Sequence, residues 1–208
     1  LIAIHLDEED ELAWVRETSG VNELLIATRN GMAIRFNEAD ARPLGRTARG
    51  VKSIQLEDGD EVVGMARVKE GATLMTITEN GAGRRTSFDQ YRLQSRGGKG
   101  IRNYKVNEEK GLVAAVRAVT PEDDVIMITD DGIIIRIHSD DVTLQSRYGS
   151  GVRVMRVPEG GRVVTLARGP KEEESETSIT LKVSVADEDK GKVIGKDGKI
   201  AKALRTVT

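Results

Sequence analysis

Arg84, Arg85, Arg92, Arg96, Lys99, Arg102 and Lys105 fall within about two strands and one loop, and among them lies QSRGGKGI, residues 94 to 101. That stretch sets two cations and three glycines in eight positions. Guanidinium and ammonium groups neutralise phosphate oxygens, and glycines let a loop turn tightly and approach a partner closely. The residues therefore point to a phosphate cradle, a nucleic-acid backbone contact or a mobile loop between strands. No Walker-type glycine loop and no nucleophile elbow is present. His5 and His138 are the only histidines, and both lie in strand-like runs without carboxylates at metal spacing, which favours structural roles and no metal site. Tyr91, Tyr104 and Tyr148 sit near basic loops, but aromatics make up 3% of the chain, too few for a base-stacking platform. Trp14 reads as a core or interface residue.

The elements that position these cations come from a repeat. LLIATRNGMAIRF (24–36), TLMTITENGAGRRTSF (73–88) and VIMITDDGIIIRI (125–137) each hold an apolar run, Asn-Gly or Asp-Gly, and a second run. That pattern signals a β-hairpin, and it predicts a type I′ turn with positive φ at both central residues. The turn glycines Gly31, Gly81 and Gly132 give a period of 50 and then 51 residues. GRTARGV, SRGGKGI and SRYGSGV keep the offset, and two further apolar runs follow each of them. Four strands per unit of about 50 residues is the arithmetic of a propeller-like array of small antiparallel sheets. The predicted fold is thus all-β, with a half blade at 1–20 and blades at about 21–71, 72–123 and 124–168. LIAIHLDEEDELAWVRETSG aligns with the second half of a unit, so the reading implies a chain that opens in mid-repeat, as part of a longer protein.

Composition narrows the class. The chain of 208 residues is 38% apolar and 32% charged, as in ordinary globular proteins. No apolar run approaches the roughly 20 residues that span a bilayer, and the first residues lack a basic start. The absence of cysteine excludes disulfides, thiolate zinc sites and cysteine nucleophiles, and fits a cytoplasmic location. A net charge of −2 neither indicates nor excludes a nucleic-acid partner, since the distribution of the 32 Lys and Arg decides.

That distribution follows the repeat. Arg35, Arg85 and Arg136 share one position of the second strand, and Arg46, Arg96 and Arg147 share one position of the glycine loop. Successive blades would carry these onto one rim, where they would neutralise phosphates along a bent duplex without reading bases. The candidate DNA-binding set is Arg35, Arg46, Arg49, Arg84, Arg85, Arg92, Arg96, Lys99, Arg102, Arg136, Arg147 and Arg153. Acidic residues gather elsewhere, in LEDGDE, VNEEKG and VTPEDD. Periodicity alone leaves open a protein-interaction propeller, in which the arginines preserve architecture or merely solvate a face.

IATRNGMAIRF, GRTARGVKSIQLEDGDEVVGM, TITENGAGRRTSFDQYRLQSRGGKGI and ITDDGIIIRI with GVRVMRV closely resemble the C-terminal DNA-wrapping domain of bacterial DNA gyrase A, over roughly residues 1 to 168. The resemblance implies a β-pinwheel, a six-bladed propeller variant, of which this chain holds about the last three blades and a remnant of the one before. It also implies a non-catalytic accessory domain of an ATP-dependent type IIA topoisomerase that binds and wraps duplex DNA. The remainder of gyrase A, together with gyrase B, would be partners in a cytoplasmic, nucleoid-associated enzyme. ATP and magnesium would belong to other parts, so no cofactor is expected in this chain. The family's signature heptad, Gln-Arg-Arg-Gly-Gly-Lys-Gly, lies in its first blade; QSRGGKG, with Ser95 where that motif has Arg, looks like the degenerate copy of a later blade. The related topoisomerase IV domain fits less well.

Beyond Arg168 the composition changes. Residues 169–178, GPKEEESETS, read as an acidic linker. Ile179, Leu181, Val183 and Val185 alternate like a strand, and Ile200, Ala203, Leu204 and Val207 follow helical spacing. Between them VIGKDG resembles the Gly-X-X-Gly loop of small bacterial KH proteins, over a segment of 179–208 that is shorter than a complete KH domain. The resemblance implies a clamp for single-stranded RNA, with Gly195 and Gly198 allowing close approach and Lys196 and Lys199 meeting phosphates. Asp197 sets a negative charge in that path.

Overall fold

The computed structural model describes residues 6–8, 11–45 and 48–169, and these form an array of β-blades. Arg46, His5 and the whole of the predicted KH-like segment, with Gly195, Lys196, Gly198 and Lys199, lie outside the described residues. Eleven strands follow in order among the described residues: β1 (Glu23–Thr28), β2 (Met32–Asn37), β3 (Val62–Arg67), β4 (Thr73–Thr78), β5 (Ala82–Ser87), β6 (Ile101–Arg102), β7 (Val113–Val119), β8 (Asp124–Thr129), β9 (Ile134–His138), β10 (Val152–Arg153) and β11 (Val163–Arg168). The all-β, antiparallel architecture expected from the repeat is present.

Pairing departs from one repeat per blade. The sheets run β3-β1-β2-β6, β7-β4-β5-β10 and β11-β8-β9. Each of the first two blades thus takes its outermost strand from the following repeat: Met32 pairs with Arg102 and Ala82 with Arg153. The blade limits drawn from the period therefore need correction, because residues 101–102 and 152–153 complete the blade before their own. IRNYKV contributes only two strand residues, since the amides of Asn103 and Tyr104 both turn to donate to the Gly31 carbonyl, at 2.7 and 3.0 Å. Val154 and Met155 do the same to Gly81. VKSIQL forms no strand, and the described part of residues 1–20 forms none either.

The hairpin turns also differ from type I′. The amide of Gly31 donates to the Thr28 carbonyl at 3.0 Å, so glycine is the fourth turn residue, with φ of 84°. This is a three-residue loop with a bulge glycine, and the threonine hydroxyl adds a bond, Thr28 Oγ1 accepting from the Met32 amide. Thr78 and Thr129 repeat it. A β-carbon at Gly31 would lie 2.3 Å from the Tyr104 carbonyl oxygen, so glycine here admits the exchanged strand as well as the turn.

The core lies between blades rather than within them. Leu25, Ala27 and Ala66 of the first blade pack with Leu74, Phe88, Tyr91, Val113 and Val116 of the next. Met75, Ile77 and Val119 then pack with Val125, Met127, Val163 and Leu166. The blade between them is covered on both faces, which is why β4 and β5 are buried almost continuously instead of alternately. The inner strands β3, β7 and β11 pack side by side along the axis, here called the hub. Strands β6 and β10 lie at the opposite, outer edges.

Candidate nucleic-acid interface

Four of the arginines that recur with the repeat, Arg35, Arg85, Arg96 and Arg147, tie neighbouring blades together. Arg35 donates from Nε to Glu23 at 2.6 Å, and from Nη1 to the carbonyls of Phe88 at 2.6 Å and Tyr91 at 3.2 Å in the next blade. Arg85 repeats the reach one unit later: Nε to the Val142 carbonyl at 2.7 Å and Nη2 to Asp140 Oδ1 at 2.6 Å. Its residue is 6% exposed. Arg136, in the third blade, is ion-paired with Asp124. The strand arginines are expected on the rim; burial of Arg85 and the reach of Arg35 into the next blade correct that placement for those two, whereas Arg136 stays exposed beside Asp124 of its own blade.

The glycine-loop arginines form a second clasp that points the other way. Arg96 Nε donates to the Asp40 carbonyl at 2.8 Å and Nη1 to the Lys52 carbonyl at 2.9 Å. Arg147 bonds the equivalent carbonyls, Gln90 at 3.0 Å and Arg102. The rest of QSRGGKGI is docked too: Gln94 donates to the Arg35 carbonyl, Gly97 to Ser53, and Gly98 accepts from Gln55. At Gly100, with φ of 73°, a β-carbon would stand 2.3 Å from the Ala33 oxygen. The glycines of this stretch let it lie flat on the preceding blade, and Arg96 is the latch.

Arg84 is fully buried, so it is no rim cation. Its guanidinium carbon lies 4.4 Å from the centroid of the Tyr104 ring, Nε donates to Thr86 Oγ1, and Nη2 donates to the carbonyls of Asn103 and Arg147. The same position holds Ile34 in the first blade and Ile135 in the third. A polar network fills the space, with Tyr91 donating to Asn103 Oδ1 at 2.6 Å and Asn103 to Thr76. Burial lowers the Arg84 pKa, opposed by Tyr91 and Tyr104. Burial pushes the Tyr91 hydroxyl up to about 12, although the charge of Arg84 opposes the shift.

What remains on the outside is a different set of cations. Arg49, Arg92, Lys99, Arg102 and Arg153 are exposed, as is Lys52. Lys52, Arg102 and Arg153 each follow the Gly-Val or Gly-Ile pair that ends a glycine loop, and the last two sit on the outermost strands β6 and β10. Three residues further on, Lys105 and Arg156 are also exposed. Sequence reasoning missed Lys52 and Arg156, although GVK stands in register with GIR and GVR. Arg49 makes an exposed ion pair with Asp7 at 3.2 Å. The acidic turns are pinned by bonds of their own: Asp60 accepts from the Asn30 amide, and Arg29 bridges Glu61 and Glu79. Among the described residues no cluster of His, Cys, Asp or Glu could hold a metal ion, and no helix is long and apolar enough to cross a membrane.

The family model for the DNA gyrase C-terminal domain, beta-propeller, matches residues 22–69, 72–120 and 123–169, one match per repeat. The chain belongs to the DNA gyrase C-terminal domain family. The DNA gyrase A protein of Staphylococcus aureus is 41% identical over 199 residues, 95% of this chain and 22% of that protein. Its Staphylococcus epidermidis counterpart is 42% identical over 176 residues, 84% of this chain and 20% of that protein. This gyrase-type domain thus spans about a fifth of the length of those relatives. A solved DNA gyrase A C-terminal domain superposes with a TM-score of 0.74 at 25% identity, covering 81% of this chain and 57% of that one. The C-terminal domain of DNA topoisomerase IV shares the fold, with a TM-score of 0.76 at 23% identity over 99% of this chain and 57% of that one. A second family model, the KhpA/KhpB KH domain, matches residues 170–208. The KH resemblance read in GKVIGKDGKIAKALR is thereby supported.

Proposed function

We propose that this domain binds duplex DNA without sequence preference along the outer edges of its blades, as the wrapping accessory of a type IIA topoisomerase. The observation that carries the reading is the exposed cation recurring at Lys52, Arg102 and Arg153, the last two on the outermost strands, with Arg92, Lys99, Lys105 and Arg156 also exposed. Cations at one phase of successive blades follow a curved path, and such a path neutralises phosphates of a bent duplex while leaving the bases unread. The interblade arginines serve the same end by fixing the angle between neighbouring edges. Cleavage and ATP chemistry fall to the remainder of gyrase A and to gyrase B, so the domain needs no cofactor. Duplex affinity measured against salt, with random-sequence and defined-sequence DNA, tests the reading. Steep salt dependence and indifference to sequence support it; a flat salt response overturns it.

The KH match at 170–208 favours a second, separate activity of the same chain. Gly195 and Gly198 would admit a single-stranded RNA backbone, with Lys196 and Lys199 beside its phosphates. Binding of single-stranded RNA that Lys196→Glu and Lys199→Glu abolish, with duplex binding unchanged, would establish it.

A further inference from the structure

The hub carries a cationic cleft that the DNA-facing edges leave unexplained. Its volume is about 440 Å³, and Arg16, Arg67, Lys69, Arg117 and Arg168 line it with Glu17. Arg67, Arg117 and Arg168 come from the inner strands β3, β7 and β11, at the edge of each sheet opposite to β6 and β10.

The guanidinium bonds described there go mainly to neutral carbonyls. Arg117 donates from Nε and Nη2 to the Leu166 carbonyl at 3.3 and 3.2 Å, and Arg67 donates to the Glu17 carbonyl at 3.1 Å. Arg16 bonds the carbonyl of its own neighbour, Val15. Arg168 stands 3.7 Å from the buried Asp123, a long contact. Carbonyl dipoles orient a guanidinium without cancelling its charge. Burial lowers the Arg117 pKa, and the charges of Arg16 and Arg168 lower it further, so the cations of the cleft act on one another. Arginine does not relieve such repulsion by losing its proton at neutral pH. A multivalent anion does relieve it, and planar guanidinium forks match phosphate oxygens two at a time. The volume falls in the usual range of small-molecule sites.

We propose that the hub cleft binds a compact oligophosphate, through the guanidinium groups of Arg16, Arg67, Arg117 and Arg168. Inorganic triphosphate and the phosphate chain of a nucleotide present the same chemistry. The site lies on the opposite sheet edge from the proposed DNA path, so either reading can fail without the other.

Calorimetric titration of the whole chain with inorganic triphosphate, at low salt, tests this. Saturable binding is expected, weakened about tenfold or more by Arg16→Gln and by Arg117→Gln, the loss of roughly one charge-assisted hydrogen bond. Arg102→Gln on the outer edge leaves it unchanged. Arg16→Gln is the safer variant, because Arg117 also ties β7 to β11 through Leu166. ATP in a parallel titration separates the sources: equal affinity assigns the site to the phosphate chain alone, and tighter ATP binding assigns it to a nucleotide. Absence of saturable binding up to about 1 mM, a very weak affinity by any standard, overturns the proposal. So does a loss in Arg102→Gln as large as that in Arg16→Gln.

Discussion

Replacing Arg85 with methionine separates the architectural reading of the repeated arginines from the DNA-contact reading. Methionine keeps much of the apolar stem but removes the guanidinium bonds: Nε to the Val142 carbonyl at 2.7 Å, and Nη2 to the Asp140 carboxylate at 2.6 Å and, more weakly, to the Asp140 carbonyl at 3.4 Å. The Val142 oxygen loses a buried donor, and an unsatisfied buried carbonyl costs about 1–3 kcal/mol. The Asp140 side chain is 62% exposed, so its ion pair is screened and adds only about 0.2–1 kcal/mol. The expected loss is therefore about 2–3 kcal/mol, which lowers the melting temperature of a chain of this size by about 5–10 °C. Arg102→Met, on an exposed edge, shifts stability by no more than about 0.5 kcal/mol. Thermal unfolding followed by circular dichroism, with duplex affinity measured well below the transition, reads both effects. Arg85→Met should melt early and bind DNA almost normally. If it melted like the parent protein and lost as much DNA affinity as Arg102→Met, the interblade clasp would be the wrong account of Arg85.

Further outcomes follow from the same geometry. Gly100→Ala places a β-carbon 2.3 Å from the Ala33 oxygen on a backbone with φ of 73°, whereas Gly59→Ala shares the positive φ but meets nothing within 4 Å. Urea unfolding should show Gly59→Ala losing about 1–2 kcal/mol, the cost of a left-handed residue, and Gly100→Ala losing distinctly more. Tyr91, pushed up to about 12 by burial, binds its proton more tightly folded than unfolded. Its contribution to stability is complete below the ordinary tyrosine range and is lost as pH rises toward about 12; alkaline unfolding curves of Tyr91→Phe should be flatter across that window. For the tail, Lys196→Glu with Lys199→Glu should remove single-stranded RNA binding in a gel-shift assay and leave duplex binding intact; a matched loss of duplex binding would place those lysines on the DNA path.

The repeat, the hairpins and the all-β class were legible because their causes are local. Alternating apolar residues and Asn-Gly or Asp-Gly turns act over a few residues, and the offset from Gly31 to Gly81 to Gly132 gives the period directly. Strand exchange was not legible, because Ile101 and Arg102 pair equally well with their own repeat or the previous one as far as spacing can tell. Gly31 permits the exchange, since its bare α-carbon admits the Tyr104 carbonyl, a contact that appears only once the blades stand side by side. The site was half legible for a related reason. Periodicity marks Arg35, Arg85, Arg96 and Arg147 as repeated, and repetition serves architecture and function alike. Which of the two holds is decided by acceptors such as the Val142 and Lys52 carbonyls, more than 40 residues away in sequence. Arg84 stood in the sequence beside Arg85 as one more cation. Its burial against Tyr104 has no local signal, since its counterparts Ile34 and Ile135 are apolar.

The central claim is that the outer-edge cations, and not the repeated interblade arginines, meet the DNA. It is tested most directly by duplex affinity across a salt series for the parent protein and for Lys52→Gln, Arg102→Gln and Arg153→Gln combined. Each phosphate contact adds about 0.9 to the slope of log affinity against log salt, so three lost contacts should flatten it by about 2.7. Between about 50 and 200 mM salt the parent should then lose ~40-fold more affinity than the variant. A slope unchanged by the triple substitution, in a protein that still melts like the parent, would contradict the assignment of these edges as the DNA path.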